Sequence, residues 1–348
     1  MIANLENKGF YFKIFVFLKK IKLAFRALSK SRKNESFRQN SLFKQIKFLI
    51  IRTIYTYPKV RSFKKIKIQD KIFKDQLFEE DFNLKEVVSA LDEFGYVKTP
   101  KVKQKILNSA FDEITRDANN IDEVSFNNTA NEVSKKVKDF KIDTEMKLVV
   151  KSATENLDEY LIRLQELGVN QVKFSAPVNL NENLKKISFS EPLIDVAKSY
   201  LNLKEDLSLV SQLFISFPSK GLSDKALMRN AQKYHADYIY KKFFKFFIYL
   251  NDVNDFNGPH MYVKKSHKKK LLKHTIPGQF PDEEIEENYK ENICSVTGEK
   301  GTSFLVDTFG LHKALRTEKD YRIALILTYG NGFIKNRKSD VAYNISKL

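Results

Sequence analysis

Two histidines and one aspartate in the second half of the chain have side chains and spacings that suit a metal site. His235 and Asp237 form an H-x-D pair, and His312 follows 77 residues after His235. Alternate residues of an extended segment point to the same side, so His235 and Asp237 can reach one ion. Two imidazoles and one carboxylate on one face of a metal leave positions open, which is the ligand set of non-haem Fe(II) oxygenases. The spacing therefore predicts an iron site.

The H-x-D pair alone is a weak signal, because so short a motif also occurs by chance. A pair in a surface loop is the alternative interpretation of His235 and Asp237. The order of the segments that follow the pair carries more information. These segments are residues 247–253 (FIYLNDV), 257–259 (NGP), 266–268 (SHK), 301–308 (GTSFLVDT) and 311–313 (LHK).

This order closely resembles the phytanoyl-CoA dioxygenase family of Fe(II)/2-oxoglutarate enzymes, and residues 91–97 (LDEFGYV) resemble the opening strand of that family. The resemblance covers residues 83–332. Tyr234 stands where the family usually has Trp, and His260 stands where an apolar residue is usual. Lys265 replaces a common Gly, so its turn must form without a positive φ or with some strain. His260 could approach the pocket, and its role stays open.

The resemblance implies a role for each site residue. His235, Asp237 and His312 would hold Fe(II), with 2-oxoglutarate and O2 as cosubstrates. Arg322 would anchor the distal carboxylate of 2-oxoglutarate, because a planar guanidinium matches a carboxylate and keeps its charge when buried. Two further residues are candidates for contact with 2-oxoglutarate. Arg316 is the alternative anchor, although it lies in a polar turn, and Gln212 is a further candidate contact to 2-oxoglutarate.

Composition and charge divide the chain into two parts. A length of 348 residues with 42% hydrophobic residues predicts one large folded domain plus an appendage, and the single Cys294 fits a reducing, cytoplasmic compartment. Residues 1–75 contain 20 Lys and Arg against 4 Asp and Glu, whereas the remaining 273 residues contain 41 against 39. We therefore expect a basic arm at residues 1–80 and a catalytic domain at residues 81–348. The asymmetry indicates an anionic partner for the arm.

The arm also carries apolar residues at helical spacing. One stripe runs from Ile14 to Leu28 and a second from Phe43 to Tyr57, just before Pro58. The longest apolar run here, residues 14–18, is too short for a membrane span or a signal sequence. Two interpretations stay open: helices that pack on the domain, or an arm, residues 1–62, that lies on an anionic membrane surface at the cytoplasmic face. Nucleic-acid binding is less favoured, since no groove-reading motif accompanies the charge.

The region after residue 83 changes from helices to short strands. Helices are expected at residues 100–118, 144–167 and 192–203, and strands at 94–98, 207–217, 243–250, 260–263, 302–307 and 322–330. Helices followed by many short strands predict a mainly β, α+β fold, and the resemblance implies a double-stranded β-helix, or cupin-like jelly roll, with flanking helices.

Two functions from different classes remain. The first is an Fe(II)/2-oxoglutarate-dependent dioxygenase that hydroxylates a small-molecule, lipid or glycan-type substrate and releases succinate and CO2. The second is a non-catalytic relative that keeps the barrel as a binding module, or binds membranes or polyanions through its arm. An intact set of ligands weighs against the second, but the sequence does not name the substrate, because substrate contacts come from variable loops.

Overall fold

A computed structural model describes residues 70–74, 77–126, 134–136, 148–203, 206–218, 231–275, 278–333 and 341–344. Residues 1–69 of the predicted basic arm, with both of its apolar stripes, lie outside the described residues. The larger of the two compact units comprises residues 66–267 and 279–348 and contains the helices and strands given below. Among the described residues, no helix combines the length and apolarity needed to cross a membrane.

The larger unit contains mostly short strands, with helices concentrated in its first half. The helices are α1 (Leu84–Phe94), α2 (Gln104–Thr115), α3 (Leu157–Glu166), α4 (Glu182–Ser188), α5 (Glu191–Leu201) and α6 (Asp282–Tyr289). The strands are β1 (Ile72–Phe73), β2 (Phe82–Asn83), β3 (Tyr96–Thr99), β4 (Ile121–Phe126), β5 (Ser134–Lys136), β6 (Val169–Phe174), β7 (Asp206–Ser216), β8 (Tyr234–His235), β9 (Tyr240–Tyr249), β10 (His260–Val263), β11 (Gln279–Phe280), β12 (Ile293–Val296), β13 (Ser303–Val306), β14 (His312–Ala314), β15 (Arg322–Phe333) and β16 (Val341–Asn344).

Two antiparallel sheets hold the strands that build the site. The large sheet has the order β3-β13-β9-β15-β7-β6-β4-β5, with β16 also paired to β7, and the small sheet has the order β11-β8-β14-β10-β12. From β7 to β15 the chain passes back and forth between them: β7, β9, β13 and β15 belong to the large sheet, and β8, β10, β12 and β14 to the small one. The predicted mainly antiparallel β fold with helices is confirmed, and this alternation is consistent with a cupin-like jelly roll.

The central strands of the large sheet are buried on both faces. Phe246 of β9 packs in the main core with side chains of α1 and α5, whereas Phe247 packs in a second cluster with Tyr262 of the small sheet. Because alternate residues of a strand face opposite sides, the odd-numbered residues of β9 face the small sheet. Lys245 is one of them, and its neighbours on that face, Phe243 and Phe247, are apolar and buried.

Local signals explain where the helix predictions were right and wrong. Helix α3 begins at Leu157 rather than at 144, because Asn156 and Glu159 form a capping box that starts a helix there. The strand expected from residue 94 begins at Tyr96, because α1 runs to Phe94 and ends at Gly95, whose φ is 73°. The helix at 100–118 is shorter than expected, since α2 spans Gln104–Thr115.

The turn that would usually contain Gly forms with a positive φ. Lys265 has a φ of 65°, a conformation that costs a lysine more than a glycine. Its amide donates a hydrogen bond to the carbonyl of Phe94 at 2.8 Å, which holds the turn against the end of α1. The strained alternative that the sequence offered for this turn is therefore the one observed.

Candidate metal centre

The small sheet brings the two predicted histidine ligands side by side. Strands β8 and β14 pair with His235 directly opposite His312, which closes the 77-residue gap between them. Their ring centroids lie 4.3 Å apart. Asp237 follows β8, and its amide donates to the carbonyl of Thr308 at 2.8 Å, so the backbone after β8 is tied to the loop before β14. One strand pair and one backbone hydrogen bond therefore position all three side chains.

The ligand atoms of the three residues converge. His235 Nε2 lies 4.0 Å from Asp237 Oδ1, and His312 Nε2 lies 3.6 Å from Asp237 Oδ2. The three potential ligand atoms all fall within 4.8 Å of one another. This spacing lets a single ion contact one atom from each residue. The loop-pair alternative for His235 and Asp237 does not describe this arrangement, since the aspartate and both histidines line one centre.

Both imidazoles are oriented by hydrogen bonds from the far side of the ring. His235 Nδ1 lies 2.9 Å from the carbonyl of Lys233, and His312 Nδ1 lies 3.0 Å from the carbonyl of Gly310. A carbonyl can only accept, so each Nδ1 carries the proton and each Nε2 presents its lone pair toward Asp237. Metal-binding histidines in proteins are held in this way. The donor set and its orientation therefore fit a divalent iron.

Electrostatics keep the ligands in the protonation states that metal binding requires. Burial, followed by the neighbouring His235, lowers the pKa of His312 to about 3, so its ring is neutral at physiological pH. Burial alone would raise the pKa of Asp237, but nearby positive charge, with Lys245 first, holds it well below its usual value. Because His312 is itself neutral, Lys245 is the charge that matters there at neutral pH. Asp237 is therefore an ionised carboxylate.

Lys245 belongs to the site, although the sequence analysis did not select it. Its Nζ donates to Asp237 Oδ2 at 2.6 Å, and its side chain is only 13% exposed. The sequence signal was available in the segment FFKFFIY, where a single lysine occupies an inward position of a buried strand. A buried lysine on such a strand needs an anionic partner, and Asp237 is that partner.

Arg322 is buried without a negatively charged partner among the described residues. It is 8% exposed, and one of its terminal nitrogens donates to the carbonyl of Gly258, while its Nε makes no hydrogen bond. No ion pair involves Arg322 in the part of the chain that the structure describes. A buried guanidinium is stabilised by an anionic partner. The carboxylate of 2-oxoglutarate fits this requirement.

The remaining candidate residues differ in their burial and in their hydrogen bonds. Gln212 is buried on β7 opposite Ile326, whose side chain lies in the cluster between the sheets. Arg316 is only half-buried and follows β14 in the turn before β15. His267 bonds through Nε2 to the carbonyl of Asp92 at 2.9 Å. His260, whose role was left open, is buried between the sheets.

Comparisons with known proteins add the family. The sequence profile of the phytanoyl-CoA dioxygenase (PhyH) family matches residues 91–324, about two thirds of the chain. The comparison with curated proteins found no match.

Similarity to solved structures is low, both in sequence identity and in TM-score. EctD from S. alaskensis with bound Fe is 15% identical, with a TM-score of 0.45, over 79% of this chain and 90% of that one. The non-heme alpha ketoglutarate dependent epimerase SnoN from nogalamycin biosynthesis is 12% identical, with a TM-score of 0.43, over 71% and 80%. AviO1 from Streptomyces viridochromogenes is 12% identical, with a TM-score of 0.43, over 72% and 96%. Because the family profile covers about two thirds of the chain, this chain belongs to the phytanoyl-CoA dioxygenase family and is a non-haem Fe(II)- and 2-oxoglutarate-dependent dioxygenase.

Proposed function

We propose that His235, Asp237 and His312 hold Fe(II), and that Arg322 binds the distal carboxylate of 2-oxoglutarate. The observation that supports this best is the convergence of the three ligand atoms within 4.8 Å, with both Nε2 lone pairs directed at Asp237. The unpaired, buried guanidinium of Arg322 supports the second half of the proposal. Gln212 is a further contact on the same inner face of the large sheet.

Iron held by these three residues, together with 2-oxoglutarate and O2, would supply the oxidising chemistry, with succinate and CO2 as coproducts. The residues of this chain do the rest. The Nδ1 hydrogen bonds of His235 and His312 fix the direction of the imidazoles. Lys245 holds one carboxylate oxygen of Asp237, which orients that ligand. The apolar cluster between the sheets, with Phe247 and Phe304, keeps water from the cosubstrate.

The substrate is a small molecule, and we propose that it is a lipid or glycan-type compound that becomes hydroxylated. This extension rests on the family resemblance and on the basic arm. The test is succinate formation by purified protein supplied with Fe(II), 2-oxoglutarate, O2 and a metabolite extract. Substrate-dependent succinate together with a product 16 mass units heavier supports hydroxylation. A product of unchanged mass contradicts hydroxylation and favours an isomerisation.

We further propose that the N-terminal segment is a basic arm, of which residues 1–62 contact an anionic membrane. Support comes from the 20 basic residues among the first 75 and their interleaving with apolar ones. Each basic residue near such a surface contributes about 1 kcal/mol, and salt weakens the attraction. Full-length protein should co-sediment with anionic vesicles at low salt, and protein without residues 1–62 should not. Insoluble truncated protein with no vesicle binding by the full chain contradicts the proposal.

A further inference from the structure

His260 is a buried neighbour of both residues that the proposed site assigns to iron and to the cosubstrate. It begins β10, opposite Ala314 of β14, and is 5% exposed. Its ring centroid lies 5.5 Å from that of the proposed iron ligand His312. Arg322 donates to the carbonyl of Gly258, two residues before His260, and its charge acts on the His260 ring. His260 is therefore close to both proposed binding groups.

The walls around His260 are aromatic. Its ring centroid lies 4.7 Å from that of Phe247 and 5.6 Å from that of Phe304, both on strands of the large sheet. The backbone amide donates to the hydroxyl of Tyr249 at 3.0 Å, which fixes the start of β10. The ring thus has one packed environment, and neither of the two phenyl rings offers a hydrogen-bond acceptor in its plane.

The ring nitrogen Nε2 is buried and makes no hydrogen bond to the protein. An unsatisfied buried nitrogen destabilises a fold, so it needs a partner that the protein itself does not supply. A ligand acceptor near His312 and Arg322 would be such a partner.

We propose that His260 is a further 2-oxoglutarate-binding residue, whose Nε2–H donates a hydrogen bond to the cosubstrate between its iron end and its Arg322 end. The proposal rests on the proposed function and adds one residue to it. Since 2-oxoglutarate carries a carboxylate at each end and a carbonyl beside one of them, it offers acceptors along its length. His260 acts here as a neutral donor that binds and orients, and it does not bind the metal.

The experiment measures 2-oxoglutarate binding by calorimetry on Fe(II)-loaded protein without O2, and iron binding separately by equilibrium dialysis. His260→Phe keeps an aromatic ring against Phe247 and Phe304 but removes the nitrogen, whereas His260→Gln keeps a donor near the same place. We expect the dissociation constant for 2-oxoglutarate to rise about tenfold or more in His260→Phe, and less in His260→Gln. The dissociation constant for Fe(II) should stay within about twofold of wild type.

His267→Gln is the matched control. His267 is as buried as His260, but its Nε2 bonds to the carbonyl of Asp92, so this change should leave 2-oxoglutarate binding unaltered. If His260→Phe does not fold, the Gln variant and His260→Leu decide, since Leu is close to the usual occupant. Unchanged 2-oxoglutarate affinity in a folded Phe or Leu variant overturns the role of His260. Wild-type protein that binds iron but no 2-oxoglutarate overturns the proposed function as well.

Discussion

The two ends of the site differ in how well their polar atoms are satisfied. At the iron end, each imidazole Nδ1 meets a carbonyl, and Asp237 meets Lys245. At the Arg322 end, the guanidinium Nε and the Nε2 of His260 are buried without partners. A metal site has to be oriented by the protein in advance. A cosubstrate site instead keeps hydrogen-bonding groups free for a molecule that is consumed in each turnover. The contrast separates residues that shape the site from residues that receive a ligand.

Replacing Asp237 should lower turnover more than any of the other changes. Asp237→Ala deletes the one carboxylate ligand and leaves Lys245 buried without its partner. We expect succinate formation to fall by about 100-fold or more, because loss even of an outer contact to a metal ligand costs about 10- to 100-fold. Turnover is measured with the wild type in parallel at saturating Fe(II). Retention of most of the turnover would exclude Asp237 as a ligand.

Arg322→Leu removes the proposed carboxylate-binding group at the other end of the site. A carboxylate that loses a buried charge-assisted partner loses about 2–5 kcal/mol, so the KM for 2-oxoglutarate should rise at least about 30-fold. Iron binding should be nearly intact, because the iron ligands do not contact Arg322. Arg316→Leu is the control, since Arg316 is half-buried and is the rival anchor. An equal rise in KM for the Arg316 variant would reverse the choice of arginine.

Lys245→Met tests whether the hydrogen bond from Lys245 to Asp237 contributes to iron binding. The change keeps a long side chain but removes the donor to Asp237 Oδ2. Iron affinity should fall by about 10- to 100-fold, and 2-oxoglutarate affinity of the iron-loaded protein should change much less. Lys245→Arg, which keeps a donor, should recover part of the iron affinity. A Met variant with wild-type iron affinity would show that Lys245 does not position Asp237.

The pH dependence of the metal-free protein gives a smaller, graded effect. The pKa of His312 falls to about 3 in the folded state, and burial also lowers the pKa of His260 well below its usual value. The unfolded chain therefore binds more protons below about pH 6.5, so the free energy of unfolding should decrease as the pH falls from about 6.5 toward 3. Urea unfolding across this range measures it. His260→Phe should show a shallower decrease, and an unchanged slope would contradict this contribution.

The sequence predicted most of the strands and site residues that follow from residue patterns and motif spacing. Strand β10 spans residues 260–263 as expected, because Pro259 precedes it and Tyr262 and Val263 are residue types that favour strands. The start of α3 was predicted 13 residues too early, since apolar periodicity outweighed the capping box at Asn156. The site residues that spacing selected lie together. The lysine on β9 could be recognised in its apolar segment, but its pairing with Asp237 and the surroundings of His260 could not be predicted, because which strands pair, and hence which inward residues meet, depends on tertiary structure.

Iron binding by the wild type and two variants tests the central claim most directly. Equilibrium dialysis without O2 should show one Fe(II) per chain for the wild type and for Arg322→Leu, and almost none for His312→Ala. The reason is that His312, opposite His235, is a proposed Nε2 ligand, whereas Arg322 is proposed to bind only the cosubstrate. Full iron occupancy in the His312 variant, with an affinity equal to wild type, would contradict the assignment of the metal centre.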